Sequence, residues 1–185
     1  MRFRSIVLAT LLITAATVAK AQLPEPDKSP LDVSYCPYGY PVLKFQSKTA
    51  AAQKPFARVL YSRPQVKGRA IFGYEVPFNQ IWRLGANEST ELELFKPATI
   101  GGKKIPKGRY SLYCIPAANS WTIILNKDTD SWGAFSYNPA FDVLRTSIPL
   151  LRLDNPVEYF TLYFDSANSL VITWDCNKAL LPIKF

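Results

Sequence analysis

The sequence predicts an all-β antiparallel fold: a sandwich of jelly-roll type or a partly closed barrel, with little helix. Three observations lead there. Short runs rich in aromatic and β-branched residues recur along the chain, turn residues separate them at hairpin spacing, and no long amphipathic helical period appears. Short strands in that arrangement are stable only when each sheet buries one apolar face.

The elements follow in chain order. Arg2 and Arg4 precede an apolar run from Ile6 to Val18 that ends in Ala19-Lys20-Ala21. That is the charged start, apolar middle and small-x-small end of a secretory signal peptide, so cleavage is expected between Ala21 and Gln22, and the product is expected in the periplasm or outside the cell. The run is shorter than the roughly 20 apolar residues a spanning helix needs. No membrane span is expected, and no Cys follows the cut to carry a lipid. Residues 22–30, with Pro24, Pro26 and Pro30, read as an extended segment, and residues 31–185 as a single domain with one core. Losing Arg2, Arg4 and Lys20 lowers the net charge of +8 to a mildly basic value, and the remaining Lys and Arg are scattered. Nucleic acid is therefore not an expected partner.

Strands are expected at Ala57–Tyr61, Glu91–Phe95, Arg109–Ile115, Trp121–Asn126, Tyr159–Asp165 and Ser169–Asp175. Gly101-Gly102 and Pro106–Gly108 turn the chain into the strand at Arg109. Pro116 ends that strand because it cannot donate to the ladder, and Asn119-Ser120 reverses the chain into the strand at Trp121.

Cys36, Cys114 and Cys176 form an odd set, which excludes a complete disulfide framework. Cys114 is in phase with Leu112, and Cys176 with Ile172 and Trp174. Both read as buried small hydrophobes, with a Cys114–Cys176 bridge as the alternative in an oxidising compartment. The chain has no histidine, which removes the familiar zinc sites and every Ser-His or Cys-His catalytic arrangement. There is no closely spaced Cys pair, GxGxxG segment or P-loop, so neither a metal nor a cofactor is expected.

The polar residues that draw attention lie in two segments. Tyr61–Thr90 sets Arg63, Lys67, Arg83, Asn87 and Glu88 among glycines, prolines and aromatics. Trp132–Tyr137 is followed by Asp142 and Arg145. Glycines at 68, 73 and 85 free the backbone to turn, so the two segments are expected to line one cleft. Arg63, Lys67, Arg83, Asn87, Glu88, Trp132, Tyr137, Asp142 and Arg145 are the candidate ligand-binding residues. Arginine forks would grip carboxylate or hydroxyl oxygens while Trp132 offers a flat apolar face, which suits a carbohydrate or a small anion. The alternative is structural: the same groups fasten irregular loops, with Arg83 paired to Glu88 or Asp142 in a buried network. Trp82, beside Ile81, reads as core.

Five segments carry a family resemblance: YSRPxxKGR at Tyr61–Arg69, IFG at Ile71–Gly73, WRLGANExT at Trp82–Thr90, KGRYSLYCIP at Lys107–Pro116 and WGAFxY at Trp132–Tyr137. They resemble domain-of-unknown-function family 2911, and the likeness runs from Ser29-Pro30 to the end of the chain. The resemblance implies an exported bacterial protein and supplies no activity, catalytic residue or ligand. Cysteines at 36 and 176 depart from the expected pattern, which argues against an essential disulfide.

The functional expectation is a binding or accessory module of the cell envelope. One alternative is a small hydrolase of envelope carbohydrate that uses Glu88 with Asp142 or Glu158 as acid and base. The other is a structural partner of another envelope protein. No catalytic residue is assigned.

Overall fold

The structure is a computed structural model and describes residues 23–185; the expected signal segment and its cut lie outside the described residues. The chain forms β1 (Leu31–Cys36), α1 (Tyr40–Gln46), α2 (Lys48–Ala51), β2 (Ala57–Ser62), β3 (Thr90–Leu94), β4 (Ala98–Ile100), β5 (Lys103–Ile105), β6 (Gly108–Pro116) and β7 (Ser120–Asn126). A 3-10 turn at Pro139–Phe141 then leads into β8 (Asp142–Phe164), β9 (Leu170–Leu181) and β10 (Ile183–Lys184). The main sheet is a seven-stranded meander in the order β1-β2-β3-β6-β7-β8-β9, and β10-β4-β5 forms a small second sheet. All pairings are antiparallel. Of the expected architectures it is the partly closed barrel that forms.

Strand alternation explains the core. Ala57, Val59 and Tyr61 of β2, Leu92 and Leu94 of β3, Leu112 and Cys114 of β6, and Trp121, Ile123 and Leu125 of β7 all face inward and are buried. An aromatic cluster fills the centre. Trp82 stacks on Trp174 with ring centroids 5.9 Å apart and meets Phe160 edge-on at 5.3 Å.

β8 gives the sheet its curl. It is 23 residues long, so the expected strand at Tyr159–Asp165 is only its last part. Its first part pairs with β7, and its register to β9 breaks twice between Arg152 and Thr161. Extra residues of this kind bend a strand and sharpen its twist. The far arm of β8 therefore swings round to the other end of the sheet, where the Phe160 N–H donates to the Pro64 carbonyl and the Val66 N–H to the Glu158 carbonyl. Further along, the Phe164 N–H reaches the Ser34 hydroxyl of β1 at 3.4 Å. This seam is closed by side chains and single backbone bonds, without a continuous ladder.

Both hairpins turn as expected. Ile100 pairs with Lys103 across Gly101-Gly102, and Pro116 with Trp121 across the Asn119 turn. One expectation on the cysteines is corrected. All three are free, and Cys114 is buried, but Cys176 is half-exposed. Asp175, at a φ of 52°, sits at the break in register between β8 and β9. The break shifts the alternation by one, so Asn177 turns inward in place of Cys176.

Candidate functional site

By alternation, Ser111, Tyr113, Ile124 and Asn126 point away from the core, yet all four are buried. Two loops cover them. One runs from Ile81 to Ser89, the other from Lys127 to Phe141. Ser111 donates to the Asp128 carbonyl at 2.7 Å, the Ser89 and Tyr113 hydroxyls lie 3.2 Å apart, and the Tyr137 ring meets Tyr113 edge-on at 5.0 Å. A second, smaller packed layer thus lies on the outer face of β6 and β7, and most of the candidate residues belong to it.

The loops are fastened to each other through backbone. The Ser89 N–H donates to the Ser131 carbonyl at 2.9 Å and the Gly133 N–H to the Asn87 carbonyl at 2.8 Å, while Glu88 forms a β-bridge with Trp132. This requires a sharply turned chain. Leu84 at φ 53°, Gly85 at 156° and Asn87 at 58° all leave the usual backbone regions. At Gly85 it is the backbone angle that favours glycine, since a Cβ would stand in ordinary contact, 3.4 Å from both the Ser62 carbonyl and the Thr90 hydroxyl. The Asn87 side chain donates to Asp27 of the N-terminal segment at 2.8 Å.

Arg83 lies at the middle of this layer. Trp82 exchanges backbone hydrogen bonds with Cys114, which drives the Trp82 ring into the core as expected and turns Arg83 to the outer face. A Cβ on Gly133 would come 3.7 Å from Arg83 Cδ, so the glycine backbone packs on the arginine stem. The Nε is buried without a partner among the described residues. Burial alone lowers the proton affinity of this guanidinium, with no nearby carboxylate acting on it.

The expected Arg83 pairing with Glu88 or Asp142 is therefore corrected. Glu88 is exposed. Asp142 is already occupied: Arg145 Nε and the Tyr137 hydroxyl each reach Oδ2 at 2.7 Å, and Asn126 Nδ2 reaches Oδ1 at 2.8 Å. The cause is the break in register between Leu125 and Asn126, where Val143 is an extra residue of β8 and brings Asp142 and Arg145 onto the same face. Among the described residues the other arginines have partners, such as Arg58 with Glu93, Arg63 with Asp32 and Arg109 with Glu91. Beside Arg83 the loop also presents Trp132 at 61% exposure and Phe135 at 89%. A half-desolvated cation without a counter-ion beside exposed aromatic faces is suited to holding an anion that carries a ring.

The expected single cleft divides. Arg83, Asn87, Glu88, Trp132, Tyr137, Asp142 and Arg145 share the outer layer. Arg63 sits instead at the barrel seam, where it donates to Asp32, Thr161 and the Phe160 carbonyl. Lys67 lines a shallow depression of about 400 Å³ with Lys28 and Arg69, and its backbone N–H is held by Glu158 at 2.9 Å. The three carboxylates weighed for hydrolysis thus have different surroundings. Sequence reading missed Ser89, Tyr113 and Asn126. The one available signal was Asn126, a polar residue closing the apolar run WTIILN.

Burial and Asp142 push the Tyr137 hydroxyl up to about 12, and burial pushes Tyr61 up to about 12 as well, from an ordinary 10.0. A raised acid holds its proton longer in the folded state. The stability these tyrosines contribute is complete below pH 10 and is lost as pH climbs through their folded values. Denaturant midpoints should fall between about pH 10 and about pH 12, and less steeply in the Tyr61→Phe/Tyr137→Phe variant. Identical pH profiles for the two proteins would count against the burial of these two hydroxyls.

No helix among the described residues is long and apolar enough to cross a membrane, and no group of metal-binding side chains occurs among them. No curated protein and no solved structure matches the chain. One family model does, over residues 45–183, so the match starts within α1 rather than at Ser29. The chain belongs to the family described as protein of unknown function DUF2911.

Proposed function

We propose that the protein is an exported binding module of the cell envelope and that its outer layer takes a small anionic ligand bearing a ring with an apolar face, such as an acidic sugar. The observation that carries this reading is the half-buried Arg83 guanidinium with no anion among the described residues to neutralise it. A desolvated charge without a partner is costly, and a ligand carboxylate, phosphate or sulfate would supply the missing charge in a bidentate bond. Trp132 and Phe135, exposed on the adjoining loop, would cover the ring. Ser89, Tyr113 and Asn126 hold the loops in place and make no demand on the ligand. For export, the support is the signal-like N-terminus, and N-terminal sequencing of the purified protein should read from Gln22.

The test is a thermal-shift series with glucuronate, sugar phosphates and sulfated sugars on the wild type and on Arg83→Met. A ligand bound only by the native state raises the apparent melting temperature. The wild type should respond to at least one of these anions and the variant to none. Without ligand, Arg83→Met should be at least as stable as the wild type, because no protein bond is lost and a half-buried charge without a partner is removed. A loss of about 3 kcal/mol would mean a structural ion pair instead. An unresponsive wild type would remove the binding proposal.

A further inference from the structure

A second hollow is not lined by Arg83. A cleft of about 650 Å³ opens over the barrel seam, between β1 and the far arm of β8. That volume lies within the usual range for small-molecule sites, roughly 300 to 1,000 Å³. Its walls are three tyrosines, Tyr38, Tyr61 and Tyr163, together with Asp32, Ser34 and Asp165.

The hydrogen bonds of these groups separate what holds the fold from what remains free. Tyr61 donates to Asp32, Ser34 accepts the Phe164 N–H, and Asp32 also receives Arg63. Those groups close the seam. Asp165 Oδ1 accepts the N–H groups of Ala167 and Ser169 and so shapes the β8–β9 turn. Asp165 Oδ2 and the hydroxyls of Tyr38 and Tyr163 have no hydrogen-bond partner among the described residues, and all three belong to residues of the cleft wall. The cation beside the cleft, Arg63, has Nε, Nη1 and Nη2 all engaged by protein oxygens.

We infer that the seam cleft is a second binding site, distinct from the Arg83 layer, and that it takes a neutral polyhydroxylated ring, a sugar without an acidic group. Two carboxylates against one committed arginine leave the cleft slightly negative, which disfavours anions. A free carboxylate oxygen and two free phenol groups match the vicinal hydroxyls of such a ring, which both donate and accept. Tyrosine faces cover its C–H surface at little entropic cost. The cleft also lies where the sheet is closed by side chains and single backbone bonds, without a continuous ladder, so an occupant that bridges β1 to β8 would stiffen the seam.

The experiment is saturation-transfer NMR on the full protein as purified from cells, with methyl β-glucoside, N-acetylglucosamine and maltotriose as neutral probes, glucuronate on the Arg83→Met protein, where only the cleft is left to it, as the anionic control, and spermidine as the cationic one. At least one neutral probe should bind saturably, with a Kd no weaker than about 10 mM. Tyr38 is 67% exposed, so Tyr38→Ala should leave the fold intact. That variant and Tyr163→Phe should each weaken the neutral probe roughly tenfold, about 1.4 kcal/mol. Arg83→Met should leave its affinity unchanged, which separates this site from the outer layer. The inference fails if no neutral probe binds, if both tyrosine variants bind as the wild type does, or if spermidine or glucuronate occupies the cleft more tightly.

Discussion

Replacing Trp82 by alanine is expected to cost about 3 to 5 kcal/mol of folding stability, a fall of roughly 10 °C or more in Tm for a domain of this size. The side chain is 6% exposed and stands at the centre of the aromatic cluster. It stacks on Trp174, meets Trp121 and Phe160 edge-on, and donates its Nε1 hydrogen to the Gly85 carbonyl. Truncation would leave a cavity that ring-shaped neighbours cannot easily collapse into, and would strand that carbonyl. The consequence reaches the other face of the sheet. Trp82 fixes the segment that turns Arg83 outward, so the variant should lose anion binding with its stability. Trp132→Ala, on the exposed loop, is the control and should change stability by less than about 0.5 kcal/mol. A Trp82→Ala protein as stable as Trp132→Ala would refute the placement of this ring.

Asn126→Ala should cost about 2 to 3 kcal/mol, an unusual amount for a residue at the end of a strand. The amide is buried and uses three of its bonds. Nδ2 donates to the Asn138 carbonyl and to Asp142, and Oδ1 accepts the Asp128 N–H. Alanine would leave all three partners with a bond unmade, in a layer too dry to offer water freely. Because these partners lie at both ends of the loop that carries Trp132, its amides should exchange with solvent faster in the variant, and the Asp128 amide most clearly. Chemical denaturation and hydrogen exchange together check this. Unchanged protection at Asp128 would contradict the assigned role.

The strand-rich class and the inner face could be read from alternation, because ARVLY and WTIILN obey the two-residue period that burial on one side imposes. β1 was not legible. It is a short strand between Pro30 and Pro37, and its residues are mostly exposed or half-buried. The first half of β8 was hidden in the same way, by Pro149 and Pro156 and by charges set where register breaks leave both faces wet. The outer layer was half legible. Its polar residues announced themselves, since arginines and tryptophans amid glycines are costly to place without a purpose. Who pairs with whom did not, because the extra residue Val143 decides that Arg145 rather than Arg83 receives Asp142. The seam was illegible for a further reason. Asp32 and Tyr61 meet as cross-strand partners of β1 and β2, a strand the sequence did not reveal, and only the curl of the sheet brings Thr161 to them.

The proposed role of Arg83 is that of a cation on a built surface that takes an anion from outside the chain. Its most direct test is a titration of 15N-arginine-labelled protein with glucuronate, following the Nε–H resonance of Arg83, assigned by its loss in Arg83→Met. In the free protein the resonance should lack the downfield position of an arginine bonded to a carboxylate. It should then move saturably as ligand is added, while those of Arg109 and Arg145, already held by Glu91 and by Asp142, stay where they are. An Arg83 signal already in the ion-paired position before any ligand is added, or one that stays fixed while another arginine responds, would contradict the account.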